Sequence, residues 1–123
     1  MEILYKELSY NIIGLAMEVH RKLGPGFLEK VYENSLMILL RNNGIESKQQ
    51  FPIKVNFEGE IVGDYFADIF VDNKIILELK TVETINNFHK AQLMNYLKAT
   101  GFNLAIIINF AKESLEYERI VLS

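Results

Sequence analysis

An acid at position 68, and an acid and a base at positions 78 and 80, interrupt segments that are otherwise apolar. The run Ile75-Ile76-Leu77-Glu78-Leu79-Lys80 has the composition of an interior strand, and Tyr65-Phe66-Ala67-Asp68-Ile69-Phe70-Val71 that of a neighbour. Such charged side chains are almost never fully buried without a partner. Successive side chains alternate faces along a strand, so Glu78 and Lys80 project from one side. Two carboxylates brought close together repel, and the pair must then bind a proton or hold a hard cation. Mg²⁺ or Mn²⁺ suits one or two carboxylates, and leaves places for water and a substrate phosphate. The backbone carbonyl of Leu79 is a further oxygen that could face the metal. The chemistry this allows is phosphodiester hydrolysis, because a metal lowers the pKa of a water that attacks phosphorus. Lys80 would orient that water or offset charge on the phosphate oxygens. From spacing alone, a structural ion pair on a half-exposed sheet accounts for Asp68, Glu78 and Lys80 equally well.

Whether these groups can meet is a question of parity. If Asp72-Asn73-Lys74 is a three-residue loop, Val71 faces Ile75 and Asp68 faces Glu78. A two-residue turn would place Asp68 opposite Leu77 or Leu79 and send Glu78 to the other face. Asn tolerates the left-handed conformation that three-residue hairpins use, so the odd loop is expected.

The elements that position them follow from periodicity. Leu4, Leu8, Ile12, Leu15, Val19 and Leu23 form one helical stripe, broken by Gly24-Pro25-Gly26. A second helix is expected over Phe27–Asn43, with Leu28, Val31, Tyr32, Leu36, Leu39 and Leu40 inward, and Asn43-Gly44 ending it. Gln49–Phe57 alternates as a strand, and Pro52 assigns it to a sheet edge or a strand start. After the turn at Glu58-Gly59-Glu60, strands are expected over Ile61–Val71, bent at Gly63, and over Ile75–Lys80. Thr84 is the expected N-cap of a helix over Ile85–Thr100, closed by Gly101. Leu104–Ile108 is a buried strand, parallel to an earlier one after the helical crossover, and Tyr117–Leu122 is a final strand. The order ααβββαβ(β) is that of a mixed α/β domain.

The whole chain sets limits. Its 123 residues suit a single domain, 1–123, and half are hydrophobic, enough for a sizeable core. No window approaches the roughly 18 apolar residues of a membrane span. The start MEILYKELSY is acidic and amphipathic, unlike a secretory signal. The absence of cysteine excludes disulfides and thiolate-bound zinc or iron–sulfur centres. A cytoplasmic protein with no membrane partner is expected. The net charge of −3 argues against a tight, general DNA binder, since phosphate binding favours a basic surface. It does not argue against a metal-dependent phosphodiesterase, because bound cations reverse the local sign.

Asp68 followed by Glu78-Leu79-Lys80, in this order of elements, resembles the PD-(D/E)XK nuclease superfamily. Gly26-Phe27-Leu28-Glu29-Lys30-Val31-Tyr32 further resembles the signature of the small GxxExxY proteins, as do YFADIFVDNKIILELKTVE and AQLMNYLKATGFNLAIIINF. The likeness runs from about Leu8 to Leu122. It implies a restriction-endonuclease-like three-layer core around a mixed sheet, a nuclease activity using Mg²⁺ or Mn²⁺, and nucleic acid as partner, DNA in preference to RNA. It implies Glu29, Asp68, Glu78 and Lys80 as the site, with Gln92 and Tyr96 in support. Ala67 stands where the superfamily name has proline.

The residues read by themselves are compatible with this. Glu29 lies in a first helical turn, where the dipole favours a carboxylate, and three residues before Tyr32 on the same face. A good first-turn acid on a surface helix explains Glu29 alone. The motif makes it a third metal ligand, direct or through water. Tyr32 is expected to pack against the sheet, and Gly26 to serve the turn and a close backbone approach. His89, Gln92 and Tyr96 share a helical face, where Gln92 could contact phosphate or position the Lys80 amine. His89 has no ligand partner at metal spacing, and His20 falls on the solvated side of the first helix. Lys6, Arg21, Lys22, Lys30 and Lys90 are available for phosphate, although helical basic residues usually mark a solvated face. A non-catalytic nucleic-acid-binding or protein-interaction module keeping the same fold is the alternative. A homodimer is compatible with one small domain spanning a duplex.

Overall fold

The computed structural model describes residues 3–123. Two helices come first, α1 (Lys6–Leu23) and α2 (Glu29–Asn42). A meander follows, β1 (Ser47–Phe57), β2 (Glu60–Val71) and β3 (Ile75–Lys80). Then come α3 (Asn87–Thr100), β4 (Leu104–Asn109) and β5 (Glu116–Val121). The strands form one sheet in the order β1-β2-β3-β4-β5. Only β3 and β4 run parallel, and α3 supplies the crossover that parallel neighbours require. The expected ααβββαβ order is present and the last strand is formed.

Three layers result. Ile12, Ala16 and Val19 of α1 and Tyr32, Leu36 and Leu40 of α2 pack on Ile69, Leu77, Leu79, Ile106 and Ile108. On the opposite face Leu93, Tyr96 and Leu97 of α3 cover Ile53, Phe70, Ile76, Ala105 and Ile107. Strand β4 is buried along its whole length, as a strand covered on both sides must be. Pro52 lies on β1, an edge strand, where its missing N–H costs no ladder bond.

The β2–β3 hairpin has the expected parity. Val71 pairs with Ile75, Phe70 with Ile76 and Ile69 with Leu77. Both Asp72 and Asn73 are left-handed, at φ 52° and 54°, and the Lys74 N–H closes the turn on the Val71 carbonyl at 2.9 Å. Both residues tolerate this conformation, because a short polar side chain there can bond locally.

Several local expectations are corrected. Helix α2 begins at Glu29, and Leu28 is an extended N-cap, 80% exposed; Val31 also faces outward. The Gly24-Pro25-Gly26 bend holds the chain extended up to Leu28, so the inward stripe starts only at Tyr32. Helix α3 begins at Asn87 and not at Ile85, and its cap is Asn86 in place of Thr84. The Asn86 side chain accepts from the His89 N–H, while His89 Nδ1 accepts from the Asn86 N–H, a reciprocal capping box. His20 is buried, not solvated. Its Nε2 donates to the Lys112 carbonyl at 2.7 Å, and its ring lies against Phe110. Gly26 has φ 110°, which explains glycine there, but a Cβ would meet nothing within 4 Å, so no close approach is involved.

Candidate active site

The paired ladder between β2 and β3 ends at Ile69 and Leu77, one step short of Asp68 and Glu78. Beyond that point, side chains take over the bonds that the ladder no longer makes. Asp68 Oδ2 accepts the Leu79 N–H at 2.8 Å, and Glu78 Oε1 accepts the Asp68 N–H at 3.2 Å. Each carboxylate is thus tied to the backbone of the other's strand by one oxygen. In a strand the N–H and C=O of one residue point the same way, so the Leu79 carbonyl also faces the β2 side.

The electrostatics follow from this crowding. Glu78 is 8% exposed, and burial together with the Asp68 charge pushes its carboxyl up to about 8. Burial also raises Asp68 above the usual carboxylate range; the Leu79 N–H opposes the rise, while the charges of Glu33 and Glu29 add to it. Lys80 lies on the same side of β3 as Glu78, and its charge draws both carboxyls down. Among the described residues its ammonium makes no ion pair and no hydrogen bond within the chain. It is a cation beside two acids with its donors still available. A structural ion pair between Lys80 and either acid is therefore not formed.

The segment after Lys80 is held from three directions. The Phe110 N–H donates to the Lys80 carbonyl at 2.9 Å. The Thr81 N–H donates to Glu29 Oε2 at 3.2 Å, bringing the start of α2 to the end of β3. Fully buried Asn109 accepts the Val82 N–H and donates to the Val82 carbonyl, at 3.0 and 2.7 Å. Tyr32 explains how α2 arrives there. Its buried ring stacks on Phe110 with centroids 4.5 Å apart. Its hydroxyl donates to the Gly24 carbonyl at 2.6 Å and accepts the Phe27 N–H at 3.2 Å. The bend before α2 is pinned, and with it Glu29.

On the α3 side, Gln92 Nε2 donates to the Tyr96 hydroxyl at 3.1 Å. Burial, then the charge on Glu78, pushes that phenol up to about 12. That hydroxyl stays neutral, and Gln92 is tied to it. Asp68 and Glu78 thus lie together with Lys80 on the Glu78 side of β3, Tyr96 is within range of the charge on both acids, and Glu29 meets the end of β3 at Thr81.

The donor set fits a hard divalent cation. Two adjacent carboxylates, Glu78 buried and Asp68 half-buried, with a strand carbonyl and a third acid nearby, are all oxygen ligands; burial raises both carboxyls, and the Asp68 charge raises Glu78 further where no cation offsets it. Among the described residues, no three acids or histidines converge as a ready three-ligand cluster. Glu29 is engaged with Thr81 instead of pointing between Asp68 and Glu78.

Glu33 escaped the sequence reading. It is buried one turn beyond Glu29 and accepts from Lys30, Gln49 and Gln50. Gln50 stands at φ 51° between the pairs Gln49–Ile69 and Phe51–Ala67, hence opposite Asp68. Glu33 thereby secures the strand that backs Asp68. The signal available was the i, i+4 spacing of Glu29 and Glu33 on the face that also carries Tyr32.

A family model described as the PD-(D/E)XK nuclease superfamily matches residues 6–120. No curated protein matches the chain. Among solved structures, the crystal structure of SSO0001 is similar at 20% sequence identity and a TM-score of 0.56. The match covers 75% of this chain and 50% of that one, so the chain spans half the length of that protein. At this identity the likeness shows the fold alone.

Proposed function

This chain belongs to the PD-(D/E)XK nuclease superfamily, and from that premise we propose that it is a metal-dependent nuclease hydrolysing phosphodiester bonds in nucleic acid. The observation that carries the proposal is the exchange between Asp68 and Glu78 at the end of the β2–β3 ladder, with the Lys80 ammonium, unpaired among the described residues, on the Glu78 side of β3. Residues 1–123 are proposed as a single nuclease-like domain of the GxxExxY type, on the Gly26, Glu29 and Tyr32 signature.

Asp68, Glu78 and the Leu79 carbonyl would hold Mg²⁺ or Mn²⁺, with Glu29 as an outer carboxylate. Such an ion supplies positive charge against the phosphate and makes water a better nucleophile. Lys80 binds a phosphate oxygen and offsets the charge that grows there. Tyr96, a phenol kept neutral by its surroundings, donates a hydrogen bond on the α3 side, and Gln92 fixes its orientation. DNA is the proposed substrate in preference to RNA. Among the described residues no helix is long and apolar enough to cross a membrane.

One observation favours a second reading, a non-catalytic nucleic-acid-binding module. The three acids do not form a ready cluster among the described residues. Incubation of the purified protein with DNA and RNA in Mg²⁺ and in Mn²⁺ separates the two. Cleavage that falls by about 10²-fold or more in both Glu78→Gln and Lys80→Ala is expected, since each removes a charge acting on the transition state. Absence of cleavage in either metal, or cleavage indifferent to both substitutions, would remove the nuclease reading.

A further inference from the structure

A groove of about 690 Å³ runs between α3 and the β1–β2 hairpin, next to the site. Asn56, Tyr65, Phe88, Gln92, Asn95 and Tyr96 line it, and Lys98 stands at the same groove. We propose that this groove binds unpaired bases, so that single-stranded nucleic acid is the strand led to Asp68 and Glu78. The proposal deepens the nuclease reading and rests on it for the strand's destination, though not for binding itself.

The chemistry of the lining carries the inference. Phe88 is 75% exposed and Tyr65 46% exposed, and the Tyr65 ring leans on Tyr96 with centroids 5.7 Å apart. Aromatic faces open to solvent beside three side-chain amides suit a base, which stacks on rings and hydrogen-bonds through its edge. The placement of Tyr65 is built into the backbone. At Gly63 a Cβ would lie 3.0 Å from the Tyr65 ring and 3.2 Å from Val55 Cβ, so a side chain there would push the ring or Val55 aside by a few tenths of an ångström. A register shift accompanies it: Val55 pairs with Gly63 and Asn56 with Ile61, which leaves Val62 as the extra residue of β2 beside the groove-lining Val55 and Asn56.

Continuity with the site comes through Tyr96. Its hydroxyl feels Glu78 and Asp68, and Gln92 belongs both to the groove and to the hydrogen bond on that hydroxyl. A base seated on Tyr65 therefore lies beside Tyr96.

Charge decides between one strand and two. A duplex binder commonly neutralises about 6–10 phosphates with basic side chains. Here the net charge is −3, and on the flanking elements Lys54 is paired with Asp64 and Lys90 with Glu118. Lys98 remains for phosphate. Stacking supplies what the missing charges cannot, roughly 5- to 150-fold in affinity for each base.

Fluorescence anisotropy with a labelled oligothymidine of about 12 nucleotides, in EDTA so that nothing is cut, tests this directly. The single strand is expected to bind more tightly than a duplex of the same length and to show a shallow salt dependence. Phe88→Ala, at an exposed position, weakens single-strand binding about 5-fold or more, while Phe88→Trp retains it. A duplex bound as tightly as the single strand, or Phe88→Ala without effect, overturns the groove assignment. Because binding is read without metal, a protein that binds the strand here yet does not cleave it once Mg²⁺ or Mn²⁺ is supplied refutes the nuclease reading and leaves the groove intact. One that cleaves duplex DNA but ignores Phe88 would do the reverse.

Discussion

Glu78 is an acid whose proton is hard to remove, since burial and the adjacent Asp68 hold its carboxyl at about 8. Its ordinary value is 4.5, so between those limits the metal-free folded protein keeps a proton that the unfolded chain has released. Stability therefore falls as pH rises through that window, by an amount on the order of a few kcal/mol. Glu78→Gln removes the charge, and its amide oxygen can still accept the Asp68 N–H. Thermal melts in EDTA should show the variant about 10–20 °C more stable than wild type near pH 9, and nearly equal to it near pH 5. A variant less stable at both values would mean that the charged carboxylate supports the metal-free fold. At this scale the sequence was informative about charge in an apolar frame, because Asp68, Glu78 and Lys80 are conspicuous within β2 and β3. It was silent on Glu33 and His20, since a polar residue on a helix looks solvated until its partner is known. Those partners lie far off in the chain, at Gln49 and Gln50 for Glu33 and at Lys112 for His20.

Elements bring these side chains together, and the least regular pieces matter most. The bend Gly24-Pro25-Gly26 and the Tyr32 hydroxyl decide where α2 starts, and that start delivers Glu29 to Thr81. Tyr32→Phe keeps the ring on Phe110 but removes the hydroxyl that serves Gly24 and Phe27. The expected loss is about 1–3 kcal/mol, read by urea or thermal unfolding, with a fall in any metal-dependent activity beyond what the lost stability explains. Unchanged stability would show that the bend holds without the hydroxyl. The β2–β3 loop was legible because parity leaves few choices: an odd loop is the arrangement that sets Asp68 level with Glu78. Helix starts were less legible. Thr84 and Asn86 are both good caps by residue type, and the reciprocal bonds with His89 favour Asn86. Leu28 and Val31 fit a helical stripe on paper, yet the extended bend before Glu29 turns them to solvent.

Over the whole molecule, the three layers follow from two apolar faces on one sheet, and the order ααβββαβ with a final strand was readable from periodicity and turn residues alone. The carboxylates sit where that architecture is interrupted, at the point where β2 and β3 stop pairing, where the start of α2 meets the end of β3 and the charge on the acids reaches Tyr96 of α3. That interruption was not legible in the sequence, since no residue type announces the end of a ladder. It leaves backbone N–H groups that only side-chain oxygens reach, and it crowds two negative charges that a cation would relieve. Titration of Mn²⁺ into the metal-free protein by isothermal calorimetry tests this most directly. Binding in the micromolar range for wild type, lost in both Asp68→Asn and Glu78→Gln, is the predicted result; no binding by wild type, or binding that survives both substitutions, would contradict it.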